Sequence, residues 1–324
     1  ATVLLAAINY QNLTFYERFM SNETFGYTWK TNAYKEHQVY PIQFNVVNLL
    51  KIDSAYQARI DASSYLAYSY QDVMILGGRY SYIFNNQKIN KTNDYWFMRV
   101  NAEASGNLLA MIKRVSGAPQ TEDGTYEFLR QPFAQYIRSD IDVRYNYRFN
   151  DVGSIVYRGF FGIGIPYGNS KAIPFEKQYF SGGSNGIRAW QVRTLGPGSF
   201  APTDTVSFVN QTADIKLEAN AEYRFKLFWI LEGAVFLDAG NIWTYRDDPD
   251  RPGAQFKLNK FYKDLAVGTG AGLRFDFSFV LGRIDFGMKL RDPSLTGSSK
   301  WIIMNRSYNF REDFAMVIGI GYPF

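Results

Sequence analysis

Residues 214–227 alternate without a break. Ile215, Leu217, Ala219, Ala221, Tyr223, Phe225 and Leu227 hold one parity, and Asp214, Lys216, Glu218, Asn220, Glu222, Arg224 and Lys226 the other. A period of two sends successive side chains to opposite faces, so the run predicts a β-strand with one apolar and one charged face. The same pattern fills 139–149, where Ile141, Val143, Tyr145, Tyr147 and Phe149 oppose Asp140, Asp142, Arg144, Asn146 and Arg148. In 265–279, Leu265, Val267, Ala271, Leu273, Phe275, Phe277 and Phe279 oppose Gly268, Gly270, Gly272, Arg274, Asp276 and Ser278. Shorter alternating runs lie at 40–46, 74–84, 96–104 and 155–165. The final run, 313–324, reads as one strand, with Phe314, Met316, Ile318, Ile320, Tyr322 and Phe324 on its apolar side.

Alternation alone fits two geometries: a soluble sandwich with a polar outside, or a membrane barrel with an apolar outside and a wet lumen. The runs exceed the roughly 5 to 6 residues of ordinary strands and match the roughly 9 to 11 that cross a bilayer. Length, full charges repeated on one parity and a closing aromatic favour the barrel, which also removes unpaired sheet edges. The expectation is an all-β fold, a transmembrane antiparallel β-barrel of about 16 strands, forming a single domain over residues 1–324. Residues 51–69 are the least strand-like early segment and read as a turn with local helix or a break. Residues 166–214 are interrupted by Gly, Ser and Pro and are too long for a turn, which marks them as functional.

Composition sharpens the picture in places. Hydrophobic residues make up 46% of the chain, yet the mean hydropathy is −0.25, so apolar residues are spread thinly. No stretch approaches the roughly 20 apolar residues of a membrane helix. The 27 Phe, 24 Tyr and 6 Trp suit membrane interfaces, although an aromatic-rich soluble sandwich has the same composition. The absence of cysteine excludes disulfides and thiolate metal sites. A net charge of +5 from 35 basic and 30 acidic residues, mixed along the chain, is too even for a nucleic-acid footprint. The segment Ala1 to Leu5 lacks signal-peptide features, so the chain is expected to be mature or trimmed.

Catalytic chemistry finds little support. His37 is the single histidine, and no G-x-S-x-G nucleophile elbow accompanies it; an interfacial or turn position suits it better. Asp140 and Asp142 share a face because they are two apart, not because they form an acid pair. No metal spacing or cofactor fingerprint is present, and Gly268, Gly270 and Gly272 sit inside a strand, where they permit close packing of a loop.

Residues 173–200 read IPFEKQYFSGGSNGIRAWQVRTLGPGSF, and Phe236 to Trp243 read FLDAGNIW. The first resembles the lumenal loop of the BamA/TamA superfamily of outer-membrane assembly factors, in which an Arg sits in a VRGF-like word. Here that word is Ile187, Arg188, Ala189 and Trp190, preceded by Gly182 and Gly183; Ala replaces the family's Gly. FLDAGNIW resembles the family's FxDxGxxW strand word. The FSGGSNGIRAW and LGPG words look closest to the TamL-like members of Bacteroidota. From spacing alone, Arg188 reads as a solvated loop residue and Glu222 and Asp238 as two lumenal charges among many. The resemblance implies instead that Glu222 and Asp238 hold Arg188 inside the lumen. Gly319, Tyr322 and Phe324 match an outer-membrane β-signal, although Val317 stands where a polar residue is common.

The resemblance further implies a non-enzymatic insertase or translocation factor with no cofactor. It would act through a seam between the last strand and a first strand near Val3 to Tyr10. Its implied partners are outer-membrane lipid, client outer-membrane polypeptides and a TamB-like periplasm-spanning protein. The family's periplasmic POTRA domains and a lipidated cysteine are not in this sequence. The alternative function is a passive outer-membrane porin or substrate channel.

Overall fold

The computed structural model describes every residue except 13–15, 63–66, 68, 69, 89–92, 151, 202–210 and 278. Ser278, residues 202–210 of the 166–214 stretch and residues 63–66, 68 and 69 of the 51–69 segment therefore lie outside the described residues. In chain order the elements begin β1 (Thr2–Asn12), β2 (Tyr16–Asn32), β3 (Lys35–Ile52), α1 (Ser54–Ala62), β4 (Val73–Asn85), β5 (Tyr95–Ser105) and α2 (Asn107–Val115). There follow β6 (Glu127–Phe128), β7 (Gln131–Pro132), β8 (Tyr136–Arg148), β9 (Gly153–Pro166), β10 (Ile215–Phe228) and β11 (Leu231–Trp243). The last three are β12 (Ala266–Asp276), β13 (Leu281–Arg291) and β14 (Phe314–Ile320).

Twelve of these strands form one sheet in the order β1-β2-β3-β4-β5-β8-β9-β10-β11-β12-β13-β14, and β6 and β7 form a separate two-stranded ribbon. Each strand of the large sheet thus lies beside its predecessor, the up-and-down order that alternating hairpin strands produce. The sixteen or so barrel strands expected compare with twelve in the large sheet and two in the ribbon among the described residues. An even division into strand and turn overlooks β2 and β3, which run to 17 and 18 residues, and the helices that occupy 54–62 and 107–115.

The alternating runs at 40–46, 74–84, 96–104 and 155–165 fall wholly on strands; those at 139–149, 214–227 and 265–279 lie on β8, β10 and β12 but overrun them, at Phe149, at Asp214, and at Leu265, Phe277 and Phe279. The final run does not hold as one strand. Phe310–Asp313 is a single helical turn, β14 spans only Phe314–Ile320, and Gly321 takes a φ of 79° that ends the extended backbone. Pro323 then has no amide to give to a ladder.

The chain falls into two units. The first comprises Ala1–Phe84, Arg99–Asp140 and Ile163–Gln178; the second comprises Asn85–Met98, Ile141–Gly162 and Tyr179–Phe324. In the first unit, β4 divides two apolar clusters. Val73 and Ile75 pack with Val47, Ala134, Tyr136 and the loop residue Ile173, whereas Met74 on the opposite face packs with Leu109, Ala110 and Phe133. Ion pairs also fix the loop's first stretch in this unit. Arg18 pairs with Glu176, and the Lys177 ammonium lies 2.6 Å from Glu103, which also accepts from the Tyr136 hydroxyl at 2.5 Å.

In the second unit the usual order of burial is reversed. Glu218, Asn220, Glu222, Asp238, Arg274, Arg283 and Asp285 are buried. Their strand neighbours of opposite parity face outward: Leu237 is 49% exposed, Phe286 56%, Ile318 70% and Ile320 82%. A soluble sheet has its apolar face covered and its charged face wet; this unit has the opposite, as a barrel in lipid requires.

Candidate functional site

Four strands present the buried charges. Glu222 and Arg224 stand on β10, Asp238 on β11, Arg274 on β12, and Arg283 and Asp285 on β13, all at the parity opposite the exposed apolar side chains. The antiparallel register brings them level, because Glu222 faces Phe236, Phe236 faces Gly270 and Gly272 faces Asp285. Into this patch the 167–214 loop delivers Arg188.

Arg188 is fully buried. Its Nε and Nη2 donate to Asp238 Oδ2 and Oδ1, each at 2.9 Å, in the two-pronged geometry that suits a planar guanidinium. Its Nη1 donates to Glu222, and its backbone N–H reaches Asp238 Oδ2 at 3.1 Å. The guanidinium carbon lies 3.5 Å from the centre of the Phe236 ring, so an aromatic face covers the side that the carboxylates leave open. Asn220 donates to both Asp238 Oδ1 at 2.9 Å and Gly186 O at 3.0 Å, tying the loop backbone to the same carboxylate.

The network extends beyond the residues that the sequence reading singled out. Glu222 also accepts from Arg224 Nε at 2.7 Å and Arg274 Nη2 at 3.0 Å. Arg274 Nη1 lies 2.7 Å from Asp285 Oδ1 as an ion pair, and Arg283 Nη1 donates to Asp285 Oδ2 at 2.6 Å. Arg283 also reaches the loop through Asn185 Oδ1 at 2.6 Å. Arg274 and Arg224 were visible in sequence as lumenal-parity charges, and Arg283 and Asp285 alternate with Ile284 and Phe286 in the same way. Alternation gave the face of Arg224 and Arg274 but not their partners, and the run that carries Arg283 and Asp285 was not singled out.

Glycines make the space. A β-carbon on Gly287 would stand 2.7 Å from Arg188 O and 2.8 Å from Ala189 Cα, and one on Gly268 would stand 2.6 Å from Ala189 Cβ. A β-carbon on Gly270 would meet the Phe236 ring at 2.4 Å. The glycine run of β12 and Gly287 of β13 thus form a flat bed for Arg188, Ala189 and Trp190. Ile187, Ala189, Trp190 and Leu195 are buried there together with Ala266. Gly182 and Gly183 take φ values of 88° and 84°, and the Gly183 N–H donates to Trp190 O at 2.8 Å, which closes the loop around its arginine. Ala189 has no positive φ, so alanine serves where the family word has glycine.

Five residues of FLDAGNIW have an identifiable part in this arrangement. Phe236 stacks on Arg188, Asp238 binds it, and Gly240 lets β10 approach, since a β-carbon there would meet Leu217 O at 2.3 Å. Asn241 donates to Gly198 O at 2.8 Å, anchoring the LGPG turn, and Trp243 is fully buried.

The three residues expected to form a β-signal separate. Gly319 lies in β14, where a side chain would meet the Arg283 guanidinium at 2.8 Å. Tyr322 and Phe324 do not continue the exposed apolar face. After the bend at Gly321, the Tyr322 ring lies 4.2 Å from the Arg224 guanidinium and its hydroxyl donates to Glu232 at 3.0 Å. Phe324 is buried, its ring 5.5 Å from Arg188, and its carbonyl oxygen accepts from Arg224 Nη2 at 3.2 Å. The arginines hold this tail through ring faces and carbonyls, and Arg283 Nε adds a bond to Gly321 O at 2.9 Å.

Several solved structures share this fold. The chain resembles BamA from Haemophilus ducreyi lacking POTRA domains 1–3 at a TM-score of 0.62 and 12% identity, over 94% of this chain and 55% of that one. It resembles CdiB from Escherichia coli at a TM-score of 0.51 and 10% identity, over 88% and 45% of the two chains. For CdiB from Acinetobacter baumannii the TM-score is 0.50 at 10% identity, over 94% and 42%. The chain thus spans about half the length of these proteins or less, and at such identities the likeness concerns the fold. No curated protein sequence matches it. Residues 9–311 match the Omp85 superfamily domain, and with nearly its whole length inside that match the chain belongs to the Omp85 superfamily.

Proposed function

We propose that this chain is the outer-membrane barrel of a protein assembly or translocation factor that works without enzymatic chemistry. The observation that carries the reading is the pair of sheet ends: β1 is bonded to β2 alone and β14 to β13 alone among the described residues. Each offers a row of unpaired backbone groups, which is the template an incoming strand needs for β-augmentation. A lateral seam formed by these two strands would admit a client polypeptide and pair with it. Arg188, gripped by Glu222 and Asp238, would brace the loop while that edge is in use. The TamL-like words of the loop support a TamB-like periplasm-spanning partner and a source in Bacteroidota.

The test places a photo-crosslinking residue at Ala6 on β1, at Val317 on β14 and, as a control, at Leu237 on β11. Client outer-membrane precursors should be captured from the two edge strands and not from the control. Equal capture, or none, at all three positions would remove the edge-pairing mechanism.

A further inference from the structure

Helix α2 carries an apolar surface that its packing does not use. It begins directly after Gly106, and Leu109 and Ala110 bury one side of it against Met74 and Phe133, flanked by Phe44, Leu76, Tyr126 and Phe128. Met74 and Leu76 share the face of β4 opposite Val73 and Ile75, which pack with the loop residue Ile173. The helix therefore lies on the outer side of the strand wall, away from the loop.

Further along the same face of β4 stand Tyr80 and Tyr82. The His37 ring lies between Tyr82, at 5.2 Å, and Trp29, at 5.3 Å, and the His37 Nδ1 is 2.8 Å from the Tyr80 hydroxyl. This is an aromatic patch of the kind that marks a membrane interface. Met74 and Tyr82 are eight residues apart on β4. That is roughly 26 Å of strand, or roughly 20 Å of depth at a tilt of about 40°, close to the apolar band of about 25 Å on a membrane barrel. The aromatic patch and the helix stand near its two edges.

The unused surface has order. Leu108, Met111, Ile112 and Val115 recur at i, i+3, i+4 and i+7, and they are 60%, 58%, 50% and 84% exposed. They form one stripe, opposite the packed side. No acidic residue interrupts the helix, and its last turn carries Lys113 and Arg114. Beside it the β6–β7 ribbon turns through Leu129 and Arg130 at φ of 53° and 64°, a conformation unfavourable for both side chains, and leaves Leu129 76% exposed.

We propose that α2 and the Leu129 tip form an interfacial anchor. The stripe lies in the boundary between headgroups and acyl chains, and Lys113 and Arg114 meet the phosphates of anionic lipid. The helix packs on the face of β3 and β4 that carries Phe44 and Leu76, and the same face exposes Ile42 and Tyr80, which supplies the reason for lipid as the occupant of the stripe. The inference rests on the membrane-barrel reading, and the experiment separates the two.

The chain has no cysteine, so single nitroxide labels can be placed at Met111→Cys, Leu237→Cys and Asp123→Cys. Their collision rates with oxygen and with an aqueous nickel chelate are measured in vesicles of phosphatidylcholine with and without phosphatidylglycerol. The oxygen-to-nickel ratio should be several-fold higher at positions 111 and 237 than at 123. Adding Lys113→Glu and Arg114→Glu should lower the ratio at 111 only where phosphatidylglycerol is present. A lipid-exposed 237 with an aqueous 111 overturns the anchor and leaves the barrel; an aqueous 237 overturns both. A 111 label that is aqueous in vesicles but shielded in native membrane fragments assigns the stripe to a protein, which also overturns the anchor. A ratio at 111 unmoved by the charge reversal in both vesicles overturns the phosphate contact.

Discussion

A guanidinium without exposed surface is tolerated only where its surroundings favour the charge. Arg188 meets this condition twice over, through a two-pronged Asp238 and through Glu222, with Phe236 stacked on its open face. Asp214 shows the contrary case, a buried carboxyl at the foot of the loop. Its Oδ2 accepts the Tyr245 N–H at 3.0 Å, and its Oδ1 has no hydrogen-bond partner. Burial pushes its pKa up from 3.8 to about 6, against the opposing pull of the Tyr245 N–H. Because the folded state then holds a proton that the unfolded chain releases, its contribution to stability is full below about pH 3.8 and is lost as pH rises through about 6. Asp214→Asn keeps an acceptor for Tyr245 and removes the titration. In detergent, the difference in melting temperature between variant and parent should grow in the variant's favour from pH 4 to pH 7. A difference that stays constant across this range would show that Asp214 does not titrate there.

At the scale of elements, the strands were legible because a wall between two environments writes its period into the chain. The glycines of β12 were legible too as a packing bed, and the structure puts Ala189 against Gly268. The end of the last strand was not. Tyr322 and Phe324 keep the parity of Ile318 and Ile320, but the bend at Gly321 and the ring faces offered to Arg224 outweigh parity. Such contacts lie about a hundred residues apart in sequence, beyond the reach of local pattern. The ion pairs of Asp285 with Arg274 and Arg283 were hidden although they are near in sequence, because alternation gives a face and not a partner. The bed itself can be tested with Gly287→Ala, whose new β-carbon meets loop backbone that cannot swing aside. The cost should be about 1 to 3 kcal/mol, with faster tryptic cleavage at Arg188 and Arg193. Unchanged cleavage would mean that the loop does not depend on this bed.

At the scale of the whole molecule, the match across residues 9–311 and the exposed apolar strand faces agree on an Omp85-type membrane protein. The class was readable from alternation and strand length, and the Arg188 partners only from the resemblance of the loop and FLDAGNIW words, since spacing alone pointed to a solvated residue. A factor of the kind proposed differs from a passive channel in what its lumen passes. Reconstituted in planar bilayers, the chain should give a low and irregular conductance. Arg188→Ala, which strands Asp238 at a local cost of about 3 to 5 kcal/mol, should raise that conductance and lower outer-membrane client levels. A large, steady conductance from the parent chain would favour the passive porin instead, and unchanged client levels in a folded variant would remove the bracing role.

The inward turn after Gly321 has one more consequence. Tyr322 and Phe324 are two of the three residues of the proposed assembly signal, and a reader of that signal needs them extended and free. In the folded chain they are engaged by Arg188 and Arg224, so on the proposed signal role the fold itself hides the signal once the last strand has bent inward.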